Sequence, residues 1–436
     1  MEETPRPLPM PSPQPLAQAG LSLRPAPVAD PERIGSLDVL RGVAVCGILA
    51  MNVVSMGMIS AAYFNPHAAV PGPERLAGLD YIIWLAHHLA ADMKFMTIFS
   101  ILFGAGVLVF TQRLEQRGKR SAGLHYRRMA WLLLFGMLHA YLLWFGDILF
   151  TYALCGMAVY LLRKLAPRWL IPIAIVLLLI PVGLNLLFAW LTTLMPSESA
   201  EQMQAGMSQS WAPSAEQIAD EQAIYQGGWL GQMAHRLPTA IMLQTFLLFL
   251  MTLWRISGCM LLGMALLKLG YLAAKRSTAT YLITGAIGLL IGIPLVLLGV
   301  RSNNAHDWEA VHGMFVAINF NYTASLFIAL TWISLIMIVC RATSLQTLTR
   351  PFAAVGKMAF TNYIAQTVIC TTLFYGHGFG YYNTFSRAEM LLLVIAVWIA
   401  QLIISPLWLS YFRFGPLEWL WRSLSYWRLQ PLRRAA

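Results

Sequence analysis

The chain has 436 residues, 58% hydrophobic and 11% charged, with a mean hydropathy of +0.62. Soluble domains carry about 25% charged residues, so this composition excludes a water-soluble globular protein. The net charge of +11 does not point to nucleic acid, because the basic residues lie in short loops between apolar runs, the pattern of membrane topology.

Residues 1–35 are Pro-rich and of low complexity, from Pro5 to Pro31. Such a segment cannot bury a core and is expected to be a disordered cytoplasmic tail. It lacks the apolar run of a signal peptide. Apolar stretches then recur near 38–59, 95–112, 126–144, 147–164, 169–194, 239–267, 279–300, 320–340, 357–375 and 389–410. Each approaches the roughly 20 residues that cross a bilayer. They predict an all-α, polytopic transmembrane helix bundle of about ten spans over residues 36–425. Leu79–Asp92 reads as an interfacial or re-entrant helix leading into the second span. The polar stretch from about 195 to 237 predicts one or two short helices over the outer mouth, and 426–436 form a basic C-terminal tail. The sequence shows no internal repeat of the kind found in many transporters.

With the N-terminus inside and the spans alternating, 23 of the 30 Lys and Arg residues fall on the inner side. Four fall outside (Arg75, Arg236, Arg301, Arg387), and three lie within spans (Arg41, Lys94, Arg255). This asymmetry places both termini in the cytoplasm. With no organelle-targeting signal, the expected home is the inner membrane of a bacterium, with the lipid bilayer as partner.

Charges inside a membrane cost several kcal/mol unless paired or facing water, so they mark candidate sites. Asp38 and Arg41 share a face of the first span at i,i+3 and can pair. Asn52 returns to that face three turns on, roughly 16 Å further along. Lys94 lies near Asp92 and His88, either snorkelling beside a carboxylate or serving a site. His139 and Asp147 flank an outer turn with Trp144 and suit an acid/base and its orienter, or a hydrogen-bonded turn. Arg255 falls near mid-bilayer and needs an anionic partner or a water-filled cavity. Asn362 and Gln366, at i,i+4, read as helix–helix glue or as binding groups. His67 lies in the first outer loop, where a solvated His is the ordinary case. Phe103-Gly104-Ala105-Gly106 puts small residues where helices can touch; it lacks the Lys-Ser/Thr of a phosphate loop. The five cysteines form no CxxC or Cys/His cluster, so no metal site is expected and packing is their reading.

Several of these residues fall in longer runs. Residues 36–52 read Ser-Leu-Asp-Val-Leu-Arg-Gly-Val-Ala-Val-Cys-Gly-Ile-Leu-Ala-Met-Asn. Then come Lys94-Phe95 with Leu102-Phe103-Gly104-Ala105-Gly106, and His139 with Gly146-Asp147-Ile148-Leu149. Gly356-Lys357-Met358-Ala359-Phe360-Thr361-Asn362-Tyr363 and the run 411–422, Tyr-Phe-Arg-Phe-Gly-Pro-Leu-Glu-Trp-Leu-Trp-Arg, complete the set. In this order, the motifs resemble those of the YeiB-like (DUF418-type) bacterial membrane proteins, from about residue 34 to 425. The Asp-x-x-Arg-Gly start is also similar to that of the acyltransferase-3 and heparan-glucosaminide acetyltransferase groups. That resemblance implies a cytoplasmic acyl-CoA as co-substrate facing Arg41, an extracytoplasmic acceptor, and no permanently bound cofactor. Acyltransferase-3 enzymes carry His where Asn52 stands, and asparagine cannot act as a general base. The heparan-type relatives carry Asn there and place their essential His in the first outer loop, broadly where His67 lies.

Three functions follow as expectations. In a membrane acyltransferase, the donor binds near Arg41 and Lys357, His67 or His139 deprotonates the acceptor, and Asn52 or Arg255 steadies the oxyanion. In a transporter of a small, unidentified solute, Arg255 is the anchor, with Asp38, Asp147 and His139 as proton sites. The third is a non-catalytic membrane subunit.

Overall fold

The computed structural model describes residues 34–68 and 75–434. The Pro-rich segment lies outside the described residues up to residue 33, as do the last two residues of the basic tail. All the regular elements described are helical. The first half holds α1 (Gly35–Gly57), α2 (Gly78–Ala90), α3 (Lys94–Gln116), α4 (Ala122–Leu142), α5 (Leu149–Val159) and α6 (Pro167–Thr193). The polar stretch folds as α7 (Ser197–Trp211) and α8 (Ala215–Gln226), leading into α9 (Met233–Gln244). Then follow α10 (Leu253–Lys268), α11 (Thr278–Ala305), α12 (Ile318–Arg341) and α13 (Gln346–Lys357). The last are α14 (Ala359–Phe374), α15 (Arg387–Tyr411) and α16 (Pro416–Tyr426).

Among the described residues, seven helical stretches are long and apolar enough to cross a membrane, and they make the molecule a polytopic helical bundle. They are Gly35–Gly57, Gly78–Gln116, Pro167–Thr193, Met233–Lys268, Thr278–Ala305, His312–Arg341 and Arg387–Tyr411. The other three expected spans fall on α4, which carries Arg127 and Arg128; on α5 with a 3-10 turn to Leu162; and on the 16-residue α14. The expected helix before the second span is α2. It joins α3 through a break at which Met93 takes a left-handed backbone (φ 62°).

Burial orders these helices around α1. Its most apolar window is 72% buried, against 28% for α6 and for α15 and 33% for α11. Outer helices expose rows of large apolar side chains, such as Val176, Leu179 and Leu187 on α6 or Leu392, Ile399 and Ile403 on α15. Patches of that extent are untenable in water and match hydrocarbon. Prolines inside α6 (Pro172, Pro181), α11 (Pro294) and α15 (Pro406) are of the kind membrane helices tolerate.

In two helix pairs, glycines on both partners bring backbone against backbone. A Cβ on Gly42 would strike the Phe352 carbonyl, and one on Gly356 would strike that of Asp38, so α1 and α13 pack through reciprocal glycines. The α3–α10 pair repeats the device, with Gly104 against Met260 and Gly263 against Ile101. The close approach expected of the 103–106 run therefore occurs at Gly104, while Gly106 faces open space. Small residues at such crossings let dispersion contacts and Cα–H···O contacts accumulate without a hydrophobic drive between helices.

The last two sequence motifs interlock. Glu418 on α16 caps α14: its Oε1 accepts from the amides of Phe360 (2.7 Å) and Thr361 (3.1 Å), and its Oε2 from the Thr361 hydroxyl (2.6 Å). The Trp421 indole donates to the Arg128 carbonyl on α4. At the opposite end, Glu221 of α8 accepts from the Ser60 amide and hydroxyl and from the Tyr382 hydroxyl, tying the polar helices onto the bundle.

Candidate functional site

The last turn of α4 carries His139, and the chain turns back to place Asp147 ahead of α5. Asp147 uses one oxygen to cap that helix through the Phe150 amide (2.8 Å). The other lies 2.8 Å from His139 Nδ1, and both side chains are about 1% exposed. His139 Nε2 lies 3.0 Å from the Thr367 hydroxyl on α14. A carboxylate only accepts, so Nδ1 carries the proton; in the neutral imidazole Nε2 then accepts from the Thr367 hydroxyl, which also lies 3.5 Å from the Tyr363 carbonyl. The rings of Tyr363 and Trp144 pack around the imidazole at 5.2 and 6.3 Å. A cleft of about 230 Å³ reaches His139 between α4 and α14, and its other lining residues are all apolar, among them Phe135, Leu138, Leu142, Phe360 and Ile364.

A second polar group forms where the α2–α3 break meets α12 and α10. Asn321 links Lys94 to Asp92: its carbonyl accepts from Lys94 Nζ and its amide donates to Asp92 (2.7 Å). Lys94 Nζ also donates to the His88 carbonyl, and His88 Nδ1 lies 3.0 Å from Asp92. Lys94 is fully buried, so it does not snorkel. Arg255 follows a π-helical turn, Leu248–Thr252, and is 3% exposed. It donates to Thr97 (2.8 Å) and Ser325 (2.6 Å) and lies 4.2 Å over the Tyr322 ring. Its Nε is buried with no partner among the described residues. Lys94 thus reaches Asp92 through Asn321, whereas Arg255 is held by hydroxyls and an aromatic ring. Between the groups, Ser100 and Tyr152 share a 3.0 Å hydrogen bond.

The remaining sequence candidates lie elsewhere. Asp38 and Arg41 form their i,i+3 ion pair at 2.9 Å, near the α1–α13 contact. Asn52 is half-buried and enters neither polar group. His67 Nδ1 accepts from the Leu76 amide, and its ring meets Trp308 edge-on at 5.0 Å, so its contacts are with Leu76 and Trp308. Asn362 and Gln366 join α14 to α15 through Ser405 and Gln401, and Gln366 also donates to the Val45 carbonyl of α1. Cys46, Cys155, Cys259, Cys340 and Cys370 are free thiols. Among the described residues, no three His, Cys, Asp or Glu side chains cluster as metal ligands. Sequence reasoning missed Thr367, Asn321, Thr97 and Ser325. The one available signal was Thr367 following Gln366 on a helix already singled out.

Residues 266–428 match the family described as "Protein of unknown function (DUF418)", a range that includes the Gly356–Tyr363 motif and Glu418. Over 402 residues the chain is 34% identical to "Uncharacterized protein YeiB" of Escherichia coli (strain K12), covering 90% of this chain and 96% of that protein. It is also 34% identical over 429 residues to "Uncharacterized protein YxaH" of Bacillus subtilis (strain 168), covering 93% and 97%. A 39.9 kDa protein from the amylase 3′ region of Bacillus acidopullulyticus is 27% identical over 407 residues.

Proposed function

This chain belongs to the YeiB-like DUF418 family of membrane proteins, and we propose that it transfers an acyl group within the membrane, with His139 as general base. One observation carries this reading: an imidazole engaged at both nitrogens, by Asp147 and Thr367, at the edge of an otherwise apolar cleft. The cleft suits an acyl chain, and the bilayer beside it suits a lipid-linked or extracytoplasmic acceptor. An acceptor hydroxyl takes the place of Thr367 at Nε2 and gives its proton to that nitrogen. Its oxygen bonds the carbonyl carbon of an acyl thioester such as acyl-CoA, the C–S bond breaks, and the leaving thiolate takes the proton from Nε2. Asp147 holds the tautomer and balances the transient imidazolium. General-base catalysis contributes on the order of 10² to 10⁴ in rate. The test is acyl transfer from a panel of acyl thioesters in proteoliposomes. His139→Gln should lower the rate at least a hundredfold, with the protein still folded. Full activity in that variant defeats the proposal.

A second reading rests on Lys94 and Arg255, two buried cations, the second held by hydroxyls and a carbonyl rather than by a carboxylate, an arrangement that favours an anionic solute. It makes the protein a transporter, with Arg255 as anchor. Uptake of organic anions into proteoliposomes that is lost in Arg255→Gln supports it; uptake unchanged by that variant removes it.

A further inference from the structure

A second cleft, sharing no lining residue with the one at His139, lies among Lys and Arg side chains. Its volume is about 480 Å³, within the size range of small-molecule sites, roughly 300–1,000 Å³. It opens between the last turns of α3 and α10, the turn that follows α10, and Ile34 ahead of α1. Arg113, Lys268, Lys275 and Arg276 line it, with Gln112 and Gln116 as amide groups; no Asp or Glu lines it among the described residues. The turn is built rather than loose. Gly270 takes a left-handed backbone (φ 74°) and its carbonyl accepts from the Lys275 amide at 3.1 Å. The Arg276 Nε donates to the Leu269 carbonyl (2.7 Å), and Lys268 Nζ donates to the Arg163 carbonyl (2.7 Å), so two of the four cations are fixed in place.

Helix C-termini attract cations, and two of them end here. Each carries about half a negative charge, so the two offset about one of the three positive charges of Lys268, Lys275 and Arg276 and leave about two. We propose that this cleft binds a phosphate-bearing ligand. Several cations around a concave space, two of them fixed, match the charge and multiple acceptor oxygens of a phosphate or diphosphate, and the Arg forks can bind it through paired hydrogen bonds. A soluble diphosphate and an anionic phospholipid headgroup share this chemistry. The assignment stands independently of the role given to His139.

The experiment measures inorganic pyrophosphate binding to the full chain in a neutral detergent by calorimetry. In parallel, the thermal midpoint is followed in nanodiscs of phosphatidylcholine with and without phosphatidylglycerol. Wild type should bind one or both probes, more weakly as salt rises from 50 to 200 mM. Lys268→Gln with Lys275→Gln should weaken binding at least tenfold. Lys275→Glu alone should do the same, and it leaves the Lys268 carbonyl contact in place should the double variant fold poorly. Arg350→Gln, an exposed cation on α13 outside the cleft, should change nothing. Pyrophosphate binding lost in the variants identifies a soluble ligand, and a lost phosphatidylglycerol shift identifies a headgroup. Absence of both effects in wild type, or their survival in Lys275→Glu, overturns the proposal.

Discussion

Removing the Glu418 carboxylate should loosen α14, the helix that carries Thr367, although Glu418 is remote in sequence from both. In Glu418→Ala, the amides of Phe360 and Thr361 lose their acceptor at a buried helix start. Each buried donor left without a partner costs about 1–3 kcal/mol, and the Thr361 hydroxyl loses a further bond. The expected loss is about 3–5 kcal/mol. Glu418→Gln should behave differently. Its carbonyl still serves both amides, and the Thr361 hydroxyl can turn to accept, as it already does from the Leu417 amide. Burial also pushes the Glu418 carboxyl above its ordinary range, against the lowering effect of these hydrogen bonds. A raised folded-state value means that its contribution is fully present below the ordinary carboxylate range and declines as pH rises past it. Gln escapes that cost, so its net loss should stay below about 1 kcal/mol. Unfolding of detergent-solubilised protein in graded SDS, followed by tryptophan fluorescence, measures both variants. An Ala variant within 1 kcal/mol of wild type, or a Gln variant as damaged as Ala, refutes the capping argument.

Three further outcomes follow from the packing and the charges. Gly104→Val should abolish folding or cost more than about 4 kcal/mol, because its side chain meets the Met260 backbone; Gly106→Ala, facing open space, should gain up to about 1 kcal/mol, and the same SDS titration separates them. Lys94→Met should cost about 3–5 kcal/mol by stripping the cation from the Asn321–Asp92 link, and adding Asp92→Asn should recover part of it, as a double-mutant cycle would show. His67 is pushed down to about 4 by burial first and by Arg75 and Arg387 after it. Its folded-state value lies below the ordinary 6.5, so the stability it supports is complete above pH 6.5 and declines as pH falls toward 4. After discounting for solvent at a half-buried ring, the effect is about 1–2 kcal/mol, and a midpoint-against-pH curve in His67→Asn should be flatter by that amount.

Membrane-helix architecture was legible because it rests on composition and on apolar run length, which need no tertiary information. Local pairs were legible for the same reason. Asp38 and Arg41 are one turn apart, His88 and Asp92 four residues apart, and His139 and Asp147 flank one tight turn. Asn362 and Gln366 were read as glue or binding groups, and their amides do bridge helices. The partners that escaped are hydroxyl and amide side chains far away in sequence: Thr367 from His139, Asn321 from Lys94, Ser325 from Arg255. A Ser, Thr or Asn inside an apolar helix carries no periodic mark, since its hydroxyl or amide can bond its own helix just as well. Short or broken spans blur for a related reason. The turn at Met93 and the π-helical turn before Arg255 depend on what packs against them, and neither is written in a run of apolar residues.

The reciprocal glycines also have a mechanical consequence. At the α1–α13 contact, each helix seats a carbonyl of the other where a side chain would begin. A slide of one residue moves a helix about 1.5 Å along its axis and turns it by 100°, replacing Gly42 or Gly356 with a neighbour that has a Cβ. The pair can therefore neither piston nor roll without separating. The α3–α10 pair is locked in the same way, and the two pairs carry Arg41, Lys94 and Arg255 between them. Any relative movement of helices in the bundle must therefore leave these two interlocked pairs intact.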